Sequence, residues 1–217
     1  VVIATGQTVR DDGPGLWQAG AVMLSGDSVV DSKRPRSAVD SCASAFDPIL
    51  GADPELRAAM SMAARFAPTP LPVLLLAETG TGKELFARAI HAASGRHQGP
   101  FVPLNCGALA PSLLESELFG HAPGAFTGAQ RTGSPGKLAA ADGGTLFLDE
   151  IAEMPETLQA TLLRVLEDGS YYRVGDSRPR RSDFRLVCAT CRELPELVCA
   201  GRFRRDLFFR IQGACIT

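Results

Sequence analysis

The stretch that most restricts how this chain can fold is Ala77-Glu78-Thr79-Gly80-Thr81-Gly82-Lys83-Glu84. It follows an apolar run, Val73 to Leu76, and opens Lys83 to Ser94, in which Leu85, Phe86, Ala89, Ile90 and Ala93 share one helical face. The expectation is strand, glycine-rich turn, helix. A small-residue turn aims backbone N–H groups inward, the helix start adds its positive dipole end, and a lysine reaches the terminal phosphates; together they form a cradle for a triphosphate. Glu78, Thr79, Gly80, Thr81, Gly82, Lys83 and Glu84 are therefore candidate cofactor-binding residues, with ATP as the cofactor. Two positions depart from G-x-x-x-x-G-K-[ST]. Ala77 stands where the first glycine belongs, which requires a negative φ there. Glu84 stands where a Mg²⁺-binding hydroxyl belongs.

Apolar and helical segments alternate along the rest of the chain. Strands are expected over Phe101 to Leu104, Thr145 to Leu148 and Phe184 to Ala189. Helices are expected from Asp53-Pro54 onward, and over Pro111 to Leu118, Pro155 to Glu167 and Arg192 to Ala200. Such alternation implies parallel pairing and a three-layer α/β fold with a mostly parallel central sheet. The strand Thr145 to Leu148 runs into Asp149 and Glu150, placing two acids at a carboxyl end, where open α/β sheets bind ligands. Asp149 is the candidate Mg²⁺ ligand, and Glu150 the candidate for polarising an attacking water. Acids after an apolar strand are often merely solvated; their conjunction with the glycine-rich turn favours the catalytic reading.

The net charge of −2 over 217 residues gives no field to draw the chain onto DNA or an anionic membrane. The longest apolar run, Leu71 to Ala77, is too short to span a bilayer, and the N-terminus lacks a signal-peptide pattern and an initiator Met. Six irregularly spaced cysteines point to free thiols in a cytoplasmic setting, and the one C-x-x-C, Cys188 and Cys191, lacks the second pair a metal site would need. Residues 1–45 read as a linker or the tail of an upstream sensory domain, with short strands around Gly26-Asp27 and a polar stretch from Asp31 to Ser44. Residues 46–217 form the expected main domain.

Gly124-Ala125-Phe126-Thr127-Gly128-Ala129 lies in a run without periodicity, so Phe126 and Thr127 are expected at a loop tip, and an exposed aromatic there suggests a contact surface. This hexapeptide is the GAFTGA signature of sigma-54-dependent activators, the bacterial enhancer-binding AAA+ proteins. Glu115-Ser116-Glu117-Leu118-Phe119-Gly120-His121, Asp142-Gly143-Gly144-Thr145 through Glu150, Gly99-Pro100-Phe101, Asn105-Cys106 and Phe203-Arg204 through Arg210 also resemble that family. The resemblance covers about Phe46 to Ile211. It implies a P-loop AAA+ core that hydrolyses ATP with Mg²⁺ and remodels sigma-54 RNA polymerase through residues Gly124 to Ala129. It further implies a ring, a hexamer, in which Arg204 and Arg210 act on a neighbour's nucleotide. Asn105 resembles a switch residue that hydrogen-bonds Glu150, and Gly51 a residue beside the adenine. Ala77 departs from the family, as does Cys191, which stands where an asparagine sensor is usual; Glu84 does not depart. The family continues into a helical lid and a helix-turn-helix domain that would carry DNA contact. The chain stops before both and is expected to assemble and hydrolyse ATP poorly alone. Ala77 and Cys191 keep a second reading in view, a degenerate regulatory module with little turnover. An unrelated P-loop kinase is disfavoured for want of an acceptor site.

Overall fold

The computed structural model describes residues 45–126 and 131–217. The expected linker, apart from Ala45, and the expected strands around Gly26-Asp27 lie outside the described residues, as do Thr127, Gly128, Ala129 and Gln130. Five strands, β1 (Val73–Leu76), β2 (Phe101–Asn105), β3 (Thr145–Asp149), β6 (Arg185–Thr190) and β7 (Ala214–Ile216), form a parallel sheet in the order β2-β3-β6-β1-β7. A short antiparallel pair, β4 (Ser170–Tyr171) and β5 (Arg180–Arg181), stands apart. The helices are α1 (Pro54–Phe66), α2 (Lys83–Ala92), α3 (Pro111–Phe119), α4 (Gly136–Ala140), α5 (Glu156–Asp168), α6 (Leu194–Cys199) and α7 (Arg205–Ile211).

Strand side chains alternate between the two faces, and two separate cores result. On one face, Leu74, Leu146, Leu148, Leu186 and Cys188 meet Leu114 and Leu118 of α3, Leu158 and Leu162 of α5, and Leu207 of α7. On the other, Val73, Leu75, Phe147, Val187 and Ala189 meet Ala63 of α1 and Ala87 and Ile90 of α2. Nearly every residue of β1, β3 and β6 is buried, which explains why these strands read as continuous apolar runs. Pro103 sits in β2, which is an edge strand and spares it a ladder donor. Among the described residues, no helix is long and apolar enough to cross a membrane.

Local chemistry sets the boundaries. Asp53 caps α1 by accepting from the Glu55 and Leu56 amides at 2.7 and 3.3 Å, with Pro54 in the first turn. At its other end, α1 delivers the Phe66 and Ala67 carbonyls to the Arg185 guanidinium, which is 3% exposed and starts β6. The helix expected over Arg192 to Ala200 begins later, at Leu194, because Arg192 N–H bonds the Thr190 hydroxyl at 3.1 Å in a turn first. Helix α4, the β4–β5 pair and strand β7 were not marked by the sequence pattern as elements.

Candidate active site

The turn after β1 is held by its own short bonds. Ala77 N–H donates to Thr190 O at 3.2 Å, tying the loop to β6, and the Thr81 hydroxyl donates to Glu78 O at 2.8 Å. Gly80 and Gly82 have φ of 84° and 86°, a left-handed geometry that favours glycine, and Gly82 caps α2. Among the described residues Glu150 is the one non-glycine with positive φ, so Ala77 meets the requirement set by its place in the motif.

Lys83 is 9% exposed. Its Nζ donates to the Ala77 and Glu78 carbonyls, both at 3.1 Å, and lies 3.4 Å from Glu150 Oε1. Glu150 follows β3 in a left-handed conformation with φ 50°, which turns its carboxylate back over the loop. Its Oε2 accepts from the Cys191 backbone N–H at 3.3 Å and from the Cys191 thiol at 3.5 Å. Asp149 Oδ2 accepts from Asn105 Nδ2 at 3.1 Å, and Asp149 Oδ1 from the Glu150 N–H at 3.1 Å. Burial, and then the neighbouring Glu150 charge, push the Asp149 carboxyl above its ordinary range. Asn105 thus bonds Asp149 rather than Glu150, the partner the family resemblance implied: β2 and β3 pair Asn105 directly with Asp149, while Glu150 has turned out of the strand.

These groups line one cavity of about 570 Å³ at the carboxyl ends of β1, β2, β3 and β6, with Thr79, Gly80, Gly82 and Glu84 on its floor. Glu84 also pairs with Arg88 at 2.6 Å. A second cavity, about 240 Å³, shares Lys83 with the first and is walled by Asp53, Leu56, Leu75, Thr81, Phe86 and Ile216. Gly51 backs onto Leu56 of that wall. This second hollow, with its β7 wall, was not anticipated beyond Gly51. Nor was the Glu153–Arg192 ion pair (2.7 Å) at the rim of the first. Its partners follow the candidate acids and the C-x-x-C, but nothing in the spacing joins them.

Arg204 and Arg210 line neither cavity. Arg204 caps α7 and holds Asp206 at 2.7 Å, while its backbone N–H bonds the buried Gln159. Arg210, in the last turn of α7, donates to Leu166 O at 2.6 Å. Only Arg210 lies within the helix; Arg204 stands at its N-cap.

The loop that carries Phe126 rises from a backbone knot. His121 and Ser134 exchange N–H to carbonyl bonds at 3.0 and 2.9 Å, Ala122 N–H bonds Val174 O at 2.8 Å, and Val174 N–H bonds Gly120 O at 2.9 Å. Beyond it Gly124 takes φ 69°, and Phe126 is 41% exposed with its ring against His121. Beside the loop, Asp176 gathers Arg173, Arg178 and Arg180; hydrogen bonds from Arg178, and then from Arg173, hold its carboxyl well below the usual range. Five cysteines among the described residues are free; Cys188 is buried in β6 and Cys191 exposed. No group of three or more potential metal-ligating residues occurs among the described residues.

Comparison with known proteins agrees with this architecture. The family model for the sigma-54 interaction domain matches residues 49–217. The chain is 52% identical over 166 residues to a Nif-specific regulatory protein of Rhodobacter capsulatus, covering 76% of this chain and 28% of that protein. It is 51% identical over 165 residues to the Psp operon transcriptional activator of Escherichia coli, covering 76% of this chain and 50% of the other. Among solved structures, NtrX from Brucella abortus in complex with ATP superposes with a TM-score of 0.71 at 36% identity, covering 77% of this chain and 36% of NtrX. The chain thus spans half or less of the length of these relatives. With a P-loop on a parallel sheet, a paired acid after β3 and a match along most of its length, the chain belongs to the sigma-54 interaction domain family, the AAA+ modules of sigma-54-dependent transcriptional activators.

Proposed function

We propose that this domain binds and hydrolyses ATP and spends the energy on remodelling sigma-54 RNA polymerase in the cytoplasm. The observation that carries the reading is the convergence of Lys83, Asp149, Asn105 and Glu150 on one cavity beside a glycine cradle. The cradle amides and Lys83 would hold the phosphates, and the second cavity, against Leu56 and Gly51, would take the base. The NtrX relative binds ATP, which supports the same ligand here.

A Mg²⁺ ion fits the donor set. Asp149 offers a carboxylate whose crowding against Glu150 a cation would relieve, and triphosphate oxygens and water would complete the shell. Bound there, the ion would neutralise charge developing on the phosphates. Asn105 orients Asp149 toward that role, and Glu150 would leave Lys83 to polarise the attacking water. Arg204 and Arg210 lie away from their own cavity, as residues serving a neighbour's nucleotide in a hexameric ring would. Phe126, half exposed above the knot, belongs to the loop Gly124, Ala125, Phe126, Thr127, Gly128, Ala129 that would press on sigma-54. Residues 1–45 would link an upstream regulatory domain, and DNA contact would come from a separate helix-turn-helix domain. With Ala77 at negative φ and Cys191 still giving Glu150 two donors, the degenerate-module reading has no observation in its favour.

The test compares phosphate release and promoter opening by sigma-54 polymerase for the parent protein, Lys83→Ala and Phe126→Ala. Lys83→Ala should lose both activities and Phe126→Ala promoter opening alone. Hydrolysis surviving in Lys83→Ala, or promoter opening surviving in Phe126→Ala, would overturn the proposal.

A further inference from the structure

The knot below Phe126 contains a side chain that the nucleotide chemistry does not use. His121 is 6% exposed, its Nδ1 lies 2.8 Å from the hydroxyl of Ser116 on α3, and its Nε2 is buried with no hydrogen-bond partner. Ser116 is itself 4% exposed, so water does not compete for their contact. An unpartnered buried nitrogen is costly, and native structures rarely tolerate one without a reason. The Phe126 ring packs against this imidazole, with centroids 5.3 Å apart and planes inclined by 62°. The backbone of His121 also closes the stem, through Ser134 on one side and the Val174 bridge on the other.

We propose that His121 is a positioning residue that seats Phe126. The Ser116 hydroxyl donates to Nδ1, which keeps the proton on Nε2, and the face of the Phe126 ring receives that otherwise unpartnered N–H. Contacts between an N–H and an aromatic face are weak individually, and an edge-to-face ring pair adds its own preference. The seat draws the tip aromatic toward the stem. Through Ser116 it also ties Phe126 to α3, a helix that begins shortly after Asn105 of the nucleotide cavity. A displacement of α3 then reaches Phe126 through a side chain as well as through the backbone around Gly124. This deepens the proposed function, since it takes Phe126 as the residue that meets sigma-54.

The chain has three histidines, so ¹H–¹⁵N imidazole spectra of the full chain can resolve His121. The expected result is an Nε2-protonated tautomer with ring protons shifted upfield. Phe126→Leu should abolish the shift, and Ser116→Ala should turn the single tautomer into a mixture. A proton held on Nδ1, or a His121 spectrum unchanged by Phe126→Leu, would overturn the seat. In a second arm, sigma-54 affinity is measured without nucleotide and with ADP–aluminium fluoride. His121→Ala should raise the nucleotide-free affinity roughly three- to tenfold, the scale of an aromatic pair, and so narrow the difference between the two nucleotide states. A nucleotide-free affinity equal to the parent's would overturn the coupling; if His121→Ala does not fold, Ser116→Ala takes its place. Should the parent fail to capture sigma-54 in either state, the proposed function falls, while the imidazole spectra still decide the seat.

Discussion

Glutamine in place of Glu150 isolates what the resting carboxylate does. Lys83 is satisfied by two loop carbonyls at 3.1 Å and by Glu150 Oε1 at 3.4 Å. At that separation and an effective dielectric of about 20, the attraction has a ceiling of about 5 kcal/mol. Desolvation and the two carbonyls reduce what it is worth. An incoming triphosphate must take Lys83 from Glu150 and must then sit near a carboxylate, so Glu150 opposes binding twice. A third effect has the same sign: without the Glu150 charge, Asp149 ionises more readily and is better prepared to receive Mg²⁺. If about a third of the ceiling survives, Glu150→Gln gains about 1.5 kcal/mol, roughly tenfold in affinity. Titration calorimetry with Mg²⁺ and a non-hydrolysable ATP analogue measures this directly. Phosphate release should fall by at least ~100-fold, the usual worth of a general base. Unchanged or weaker analogue binding would show that the Lys83–Glu150 pair is not what nucleotide displaces.

Three further outcomes follow from other parts of the site. The Asp149 carboxyl is raised in the folded state, so the stability it contributes is full below its ordinary range and lost as pH rises through the raised value. Asp149→Asn should therefore raise the melting temperature of the nucleotide-free protein at neutral pH, by an amount that shrinks on acidification; a lowered melting temperature at neutral pH would contradict this. A maleimide should label Cys191, exposed in the cavity and 3.5 Å from Glu150, and ATP should slow the reaction. Cys106, buried and pushed up to about 12 by that burial and by the nearby acids, should resist labelling, as peptide mass spectrometry will show. Gly175→Ala should cost about 1–3 kcal/mol in urea melts, because φ there is 74° and the added methyl would sit 2.8 Å from Ala125 Cβ. It should weaken sigma-54 capture while leaving ATP affinity within about twofold, a span of about 0.4 kcal/mol.

The buried strands were legible because a parallel sheet covered on both faces demands unbroken apolar runs, and Val73–Leu76 and Thr145–Asp149 supply them. Strand β7 was not, since Ala214–Ile216 is short and owes its conformation to pairing with β1. The five-residue α4 is stabilised by packing Leu138 into the core, a tertiary effect that no local period announces. In the site, Lys83, Asp149 and Glu150 could be marked because their neighbours in sequence create their geometry. Asn105's choice of Asp149 depends on the β2–β3 register and on the left-handed turn at Glu150, both set by long-range pairing. The Arg185 contacts with α1 were likewise invisible, since they join positions more than a hundred residues apart.

That arginine has a mechanical corollary. Helix α1 and strand β6 share it as a common foot: the helix ends there, and the strand starts there. From this foot α1 runs back to Asp53 and Leu56 on the wall of the smaller hollow, and β6 runs forward to Thr190 and Cys191 at the larger one. The two members therefore act as the legs of a caliper. A nucleotide spanning both hollows, as proposed, would be gauged against a fixed opening, and a base that pushed the helical leg outward would strain the same anchor that sets where Cys191 meets Glu150.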